Sequence, residues 1–311
     1  MKFRIAALAL AWSSAVGCSA AALPGAILPL QYPTHPQAIP AVARLLSDDP
    51  VLVEEAQVEI QSLGEGATPE MLRAMSTASS EGKLRLLESA TTVGKPPAVV
   101  GRIYYQAVRD PDKKVRLGAA FQAARAPALA SETGPALEQL LTDPVPEVKA
   151  AGLQSLAALD DRKALSPLKL AGFVNDSNAL ICATAVSIAL SRGDVQMEPL
   201  LRRTLPRLVT QLHNPQPASR AAVITALGAY GEAAAPTVPP LVSVARTDKV
   251  PEVRLQAAVA LMRIGTPEAK ETAHQTFLEF SSSSNPSLKA IAQRFINPNK
   301  KTEASQGAPH P

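Results

Sequence analysis

Aromatic residues are scarce in this chain, making up 4% of its 311 positions, with a single tryptophan. A β-sandwich or barrel is built from β-branched and aromatic residues in alternating runs, and so poor a supply argues against either. Cysteine is nearly absent too. Only Cys18 and Cys182 are present, and once Cys18 is acylated or removed no internal disulfide can staple the domain. The four histidines, His35, His213, His274 and His310, are scattered without H-x-x-x-H spacing, and no C-x-x-C pair accompanies them, so no metal site is legible. The chain also lacks a glycine-rich phosphate loop, a G-x-S-x-G elbow, and any acidic pair set apart from ordinary solvated helix faces. These absences point away from an enzyme and leave no cofactor to expect.

What the chain does have is small apolar residues. Hydrophobic residues reach 46%, and with so few aromatics the core must be made of alanine, leucine and valine. Closely packed helices accept such side chains readily, so an all-α fold follows from composition alone.

The first residues read as a targeting segment rather than as fold. Lys2 and Arg4 precede an apolar run from Ile5 to Gly17, too short to span a bilayer and followed by small residues, which is the pattern of a secretory signal. Two processing outcomes stay open. Cleavage after Ala20-Ala21-Ala22 would make residues 1–22 the leader; alternatively Ala15-Val16-Gly17-Cys18 would serve as a lipobox, with residues 1–17 removed and Cys18 acylated. An acylated Cys18 would be the chain's one link to a membrane, with the folded part left in water. The mature protein is then expected to be exported and periplasmic. Without Lys2 and Arg4, 29 of the 31 basic residues remain against 27 acidic ones, a net of +2, and no dense basic stripe is left to displace phosphate counterions. A nucleic-acid partner is not expected.

Beyond the leader lies a period. Asp48, Ser79, Asp110, Asp143, Asp176, Asn214, Asp248 and Asn285 follow one another at intervals of 31, 31, 33, 33, 38, 34 and 37. Asp, Asn and Ser accept hydrogen bonds from the unpaired N–H groups of a helix start, and proline just inside that start fixes φ at no cost in donors, so each anchor is expected to open a helix. A basic residue stands six positions on in Arg85, Arg116, Lys149, Arg220 and Arg254; Arg116, Lys149, Arg220 and Arg254 are expected to form a ladder with the Asp or Asn anchors of adjacent repeats rather than to read an acidic partner. A second helix is expected before each anchor, over residues 39–46, 69–77, 98–108, 135–141, 164–173, 198–212, 236–245 and 267–280. The organisation predicted is a proline-rich linker over residues 23–38, about eight stacked antiparallel helix pairs over 39–296, and a polar tail over 297–311.

The pattern D-P-x-x-x-V-R-x-x-A-A-x-A-L, best matched from Pro251 to Leu261, resembles the HEAT repeat family. So does Leu227-Gly228-Ala229-Tyr230-Gly231 followed by Ala235-Pro236-Thr237-Val238-Pro239. The likeness is to short bacterial HEAT-like repeats related to phycobilisome lyases. Glu54 and Cys182 depart from it, standing where arginine is usual. The resemblance implies a curved, armadillo-like α-solenoid in which the second helix of each pair lines the concave face. On that analogy Phe121, Gln154, Ser187, Thr225 and Val259 form a row for partner contact, flanked by Leu117, Ala150, Ala183, Ala221 and Leu255. Such a surface is mildly apolar and weakly charged, and suits a protein segment better than a phosphate backbone.

Blander readings accompany these. Against partner contact stands core filler between repeats for Phe121 and Val259; against a recognition pair, one core ring beside one surface ring for Tyr104-Tyr105; and against a redox or metal thiol, a small buried filler for Cys182. For function, a protein-binding scaffold in the bacterial envelope leads. A small-ligand or chromophore-binding protein with lyase-type activity and a structural spacer are the alternatives.

Overall fold

The computed structural model describes residues 34–95 and 97–297. The leader, Cys18, His310, most of the proline-rich linker and the tail beyond Asn297 lie outside the described residues. Within them sixteen α-helices pair up in order. The pairs are α1 (Ala38–Leu45) with α2 (Pro50–Leu63), α3 (Thr68–Ala74) with α4 (Ser80–Val93), α5 (Pro97–Ala107) with α6 (Lys113–Ala124), and α7 (Ala130–Leu140) with α8 (Pro146–Ala158). They continue with α9 (Pro167–Val174) and α10 (Ala179–Arg192), α11 (Glu198–Thr210) and α12 (Pro217–Ala229), α13 (Val238–Thr247) and α14 (Pro251–Ile264), and α15 (Pro267–Ser281) and α16 (Pro286–Ile296). No strand occurs among the described residues.

Even-numbered helices stack on even-numbered ones and odd on odd, so the protein is an α-solenoid of two helical layers. One apolar cluster runs between the layers from Ala38 to Ala292. Small side chains set the spacing of stacked helices within the even-numbered layer. A Cβ added at Gly228 on α12 would lie 2.9 Å from the Ala260 Cα on α14. Ser155 on α8 likewise reaches the Ala120 carbonyl on α6, at 2.7 Å.

The anchors do something other than what the sequence implied. Ser79 and Asn285 are N-caps, but Asp110, Asp143, Asp176, Asn214 and Asp248 each stand two residues before the cap. There each side chain accepts the backbone N–H of the cap residue itself, as Asp248 does from Val250 at 2.9 Å. These anchors therefore close the turn between paired helices, and proline at N1 comes later, at Pro146, Pro217 and Pro251.

Counting from the cap rather than the anchor also corrects the ladder. The fourth residue past the cap is Lys83 on α4, not Arg85, and it is Lys83 that meets Asp110 at 2.6 Å. In the first pair that position is Val53, not Glu54. Arg116 meets Asp143 through two nitrogens, at 2.7 and 3.1 Å, while a third donates to its own anchor's carbonyl, that of Asp110, at 2.8 Å. Arg220 repeats this with Asp248 and the Asn214 carbonyl. Arg85 instead donates to the Leu45 and Ser47 carbonyls of the first pair. Arg254 pairs with Glu279 rather than with Asn285. No ion pair joins Lys149 to Asp176 among the described residues.

One rung yields a pH prediction. Burial pushes the Asp248 carboxyl up, but the Arg220 guanidinium and the Val250 N–H outweigh it and hold it below the usual carboxylate value. A carboxyl held low in the fold stabilises it above the unfolded pKa, and that contribution disappears as pH falls through the folded pKa. Asp248→Asn should therefore lower the urea midpoint at neutral pH, and the gap to the parent should close below about pH 4. A gap that widened in acid would contradict this linkage.

Candidate functional site

Phe121, Gln154, Ser187, Thr225 and Val259 each stand nine residues past an N-cap, so helix periodicity brings them to the same angular position on α6, α8, α10, α12 and α14. Their exposure differs. Phe121 is 61% exposed, with the Arg125 guanidinium carbon 5.5 Å from its ring centroid. Gln154 is exposed, Ser187 and Thr225 are half-buried, and Val259 is half-buried against the core.

The flanking row is not a surface. Leu255 is 2% exposed, Ala150 and Ala183 are buried, and Leu117 is half-buried against the core. These residues stand five past the cap, where the helix turns toward its stacked neighbour. Leu84, the equivalent on α4, lies against Gly118 of α6 in this way. Leu255 is thus a packing residue whose side chain is withheld from a partner.

The middle of the row forms a shallow depression of about 310 Å³ lined by Gln154, Thr184, Ser187, Ser191, Thr225 and Arg263. Small side chains on α10 and α12, two successive helices of this layer, leave this space. Thr225 Oγ1 donates to the Ala221 carbonyl and accepts from Gln256 Nε2, each at 2.9 Å. Thr184 Oγ1 is buried without a hydrogen-bond partner. Arg263 is the lone ionisable group lining the depression. Hydroxyls and an amide over an apolar floor suit the neutral groups of an extended polypeptide, and give no nucleophile a base.

The residues weighed for chemistry are placed elsewhere. Cys182 is 1% exposed, as expected of a buried filler, and burial pushes its thiol up against the opposing effect of Arg207. Arg207 comes from α11, an odd-numbered helix, and donates to the carbonyls of Val174 at 2.6 Å and Asp176 at 3.2 Å as well as to Cys182 Sγ. It thereby supplies the carbonyl contact that an arginine at position 182 would make. Sequence reasoning missed it because Arg207 occupies no repeat position.

Tyr104 is buried, its hydroxyl 2.6 Å from Thr91 Oγ1, and burial pushes the phenol up to about 12. Tyr105 is half-buried beneath the Arg109 guanidinium, 3.7 Å from its ring centroid, so the pair divides between core and surface as the blander reading held. Among the described residues no group of three or more His, Cys, Asp or Glu is placed to hold a metal. No helix among them is long and apolar enough to cross a membrane.

Against known proteins, the family profile of HEAT repeats matches residues 205–279. No curated protein matches the chain. Among solved structures the fold is similar to the complex of CpcE and CpcF of phycocyanin lyase from Nostoc sp. PCC7120, at 17% identity and a TM-score of 0.42, covering 80% of this chain and 97% of that one. It is also similar to human deoxyhypusine hydroxylase, at 17% identity and TM-score 0.36 over 85% and 96% of the two chains. An engineered protein gives 16% identity and TM-score 0.40 over 84% and 77%. The segment from Leu205 to Glu279, which spans α12, α13 and α14, thus matches HEAT repeats by sequence.

Proposed function

We propose that this array of HEAT-like helix pairs is a non-enzymatic protein-binding scaffold or adaptor of the bacterial cell envelope, taking an extended segment of a partner protein along the row from Phe121 to Val259. The observation that carries the reading is Phe121. It is a large apolar side chain, 61% exposed, with an arginine over its ring and, farther along the same face, a hydroxyl-lined depression whose one charged group is Arg263. Aromatic and arginine side chains are the residue types enriched at the cores of protein interfaces.

The export half of the proposal rests on Lys2, Arg4 and the apolar run after them, with Cys18 as the membrane tether if the lipobox is used. The intact mass of the purified protein distinguishes acylated Cys18 from cleavage after Ala22, and retention of residues 1–17 would sink both.

Cross-linking tests the partner face. A photoreactive residue at Phe121 should capture a defined envelope protein. The same residue at Leu168, which is 86% exposed on α9 in the other layer, should not. Equal capture from both sites, or none from either, would overturn the assignment of the row.

A further inference from the structure

The junction between the fifth and sixth helix pairs departs from the repeat in several ways at once. The interval from Asp176 to Asn214 is 38, the longest in the chain. The ladder side chain is replaced by Cys182, and Arg207 from α11 fills in for it. Beside this irregularity α10, α11 and α12 leave a cleft of about 570 Å³, walled by Leu190, Leu201, Leu205 and Tyr230. Small-molecule sites are of this size and apolar character, with a few polar groups at defined places.

The polar groups here have one sign in excess. Asp194, Glu198 and Arg202 also line the cleft. Glu198 and Arg202 pair with each other, whereas Asp194 makes no ion pair among the described residues. One net negative charge therefore remains at an apolar opening, where Val195 stands 78% exposed. The Tyr230 hydroxyl is committed to the Leu201 carbonyl at 2.7 Å, which leaves its ring as an aromatic wall. Carboxylate, π-face and leucine side chains together match one chemistry.

We propose that the cleft between α10, α11 and α12 binds a small apolar organic cation, its ammonium group on Asp194 and its hydrocarbon against Leu190, Leu201, Leu205 and Tyr230. The site is on a different part of the solenoid from Phe121, and it requires no protein partner.

The test uses the full chain and three probes of one size, 1-naphthylmethylamine, 1-naphthalenemethanol and 1-naphthoate, titrated by fluorescence and saturation-transfer NMR. The amine should bind roughly fivefold more tightly than the alcohol, and the naphthoate most weakly. Asp194→Asn should bring the amine down to the level of the alcohol and leave the alcohol unmoved. Leu205→Trp should abolish binding of both by filling the cleft. Should Leu205→Trp fail to fold, Val195→Arg places a rival cation at the mouth without touching the core, and should weaken the amine while favouring the naphthoate. Equal binding of amine and alcohol to the parent, no binding of any probe, or binding indifferent to the variants would each overturn the proposal.

Discussion

Asp143→Ala is expected to cost about 3 kcal/mol, among the largest losses available to a single substitution in this chain. The carboxylate is 6% exposed and holds an Arg116 side chain that is only 11% exposed, so its removal strands a guanidinium away from water. It also takes away the acceptor for the Val145 N–H at the start of α8. The urea midpoint measures the total, and hydrogen exchange should place the loss in α6 through α8. Arg116→Met combined with Asp143→Leu should cost less than Asp143→Ala alone, because no charge is then left unpaired. If the double variant were the worse of the two, packing rather than the buried pair would be the source of the effect.

Phe277→Ala is expected to cost about 4 kcal/mol. Phe277 is 1% exposed and stacks on Phe295, with ring centroids 4.5 Å apart and planes 5° from parallel. That stack matters because α16 buries little else of its own, only Leu288 and Ala292. Each repeat in a solenoid contacts only its neighbours, so the damage should stay at one end. Exchange protection should fall in α15 and α16 and persist from α1 to α8. A uniform loss along the chain would show that the array unfolds as one unit.

The fold was legible because its causes are local. Alanine-rich stripes, turn-forming Asp and Asn, and proline at N1 recur at nearly constant intervals, and the expected helix over residues 198–212 became α11, Glu198–Thr210. The role of the anchors was less legible. An Asp two residues before a cap and an Asp at the cap have the same residue type and almost the same spacing, and only the backbone hydrogen bonds separate Asp110 from Ser79.

The candidate row was legible as a column of positions but not in its exposure. Nothing in the sequence distinguishes Leu255, turned into a seam between stacked helices, from Leu168, turned out to solvent. Arg207 was illegible for a different reason. Its partners lie 25 to 33 residues earlier, at Cys182, Asp176 and Val174, and it reaches them from a position on α11 that the repeat does not mark, Cys182 across the layers.

The missing rung has a mechanical consequence. Ion pairs tie the second, third and fourth helix pairs into one block through Lys83 and Arg116, and the sixth, seventh and eighth into another through Arg220 and Arg254. The fifth pair, with Cys182 at the ladder position, has no buried rung to either block; the exposed Lys169–Glu138 pair joins it to the fourth pair and Arg207 joins it to the sixth. The joint between the two blocks therefore rests on apolar packing, chiefly of α10 on α12, rather than on buried charge. Gln154, Ser187 and Thr225 straddle that joint, so any rotation of one block against the other would widen or narrow the depression they line.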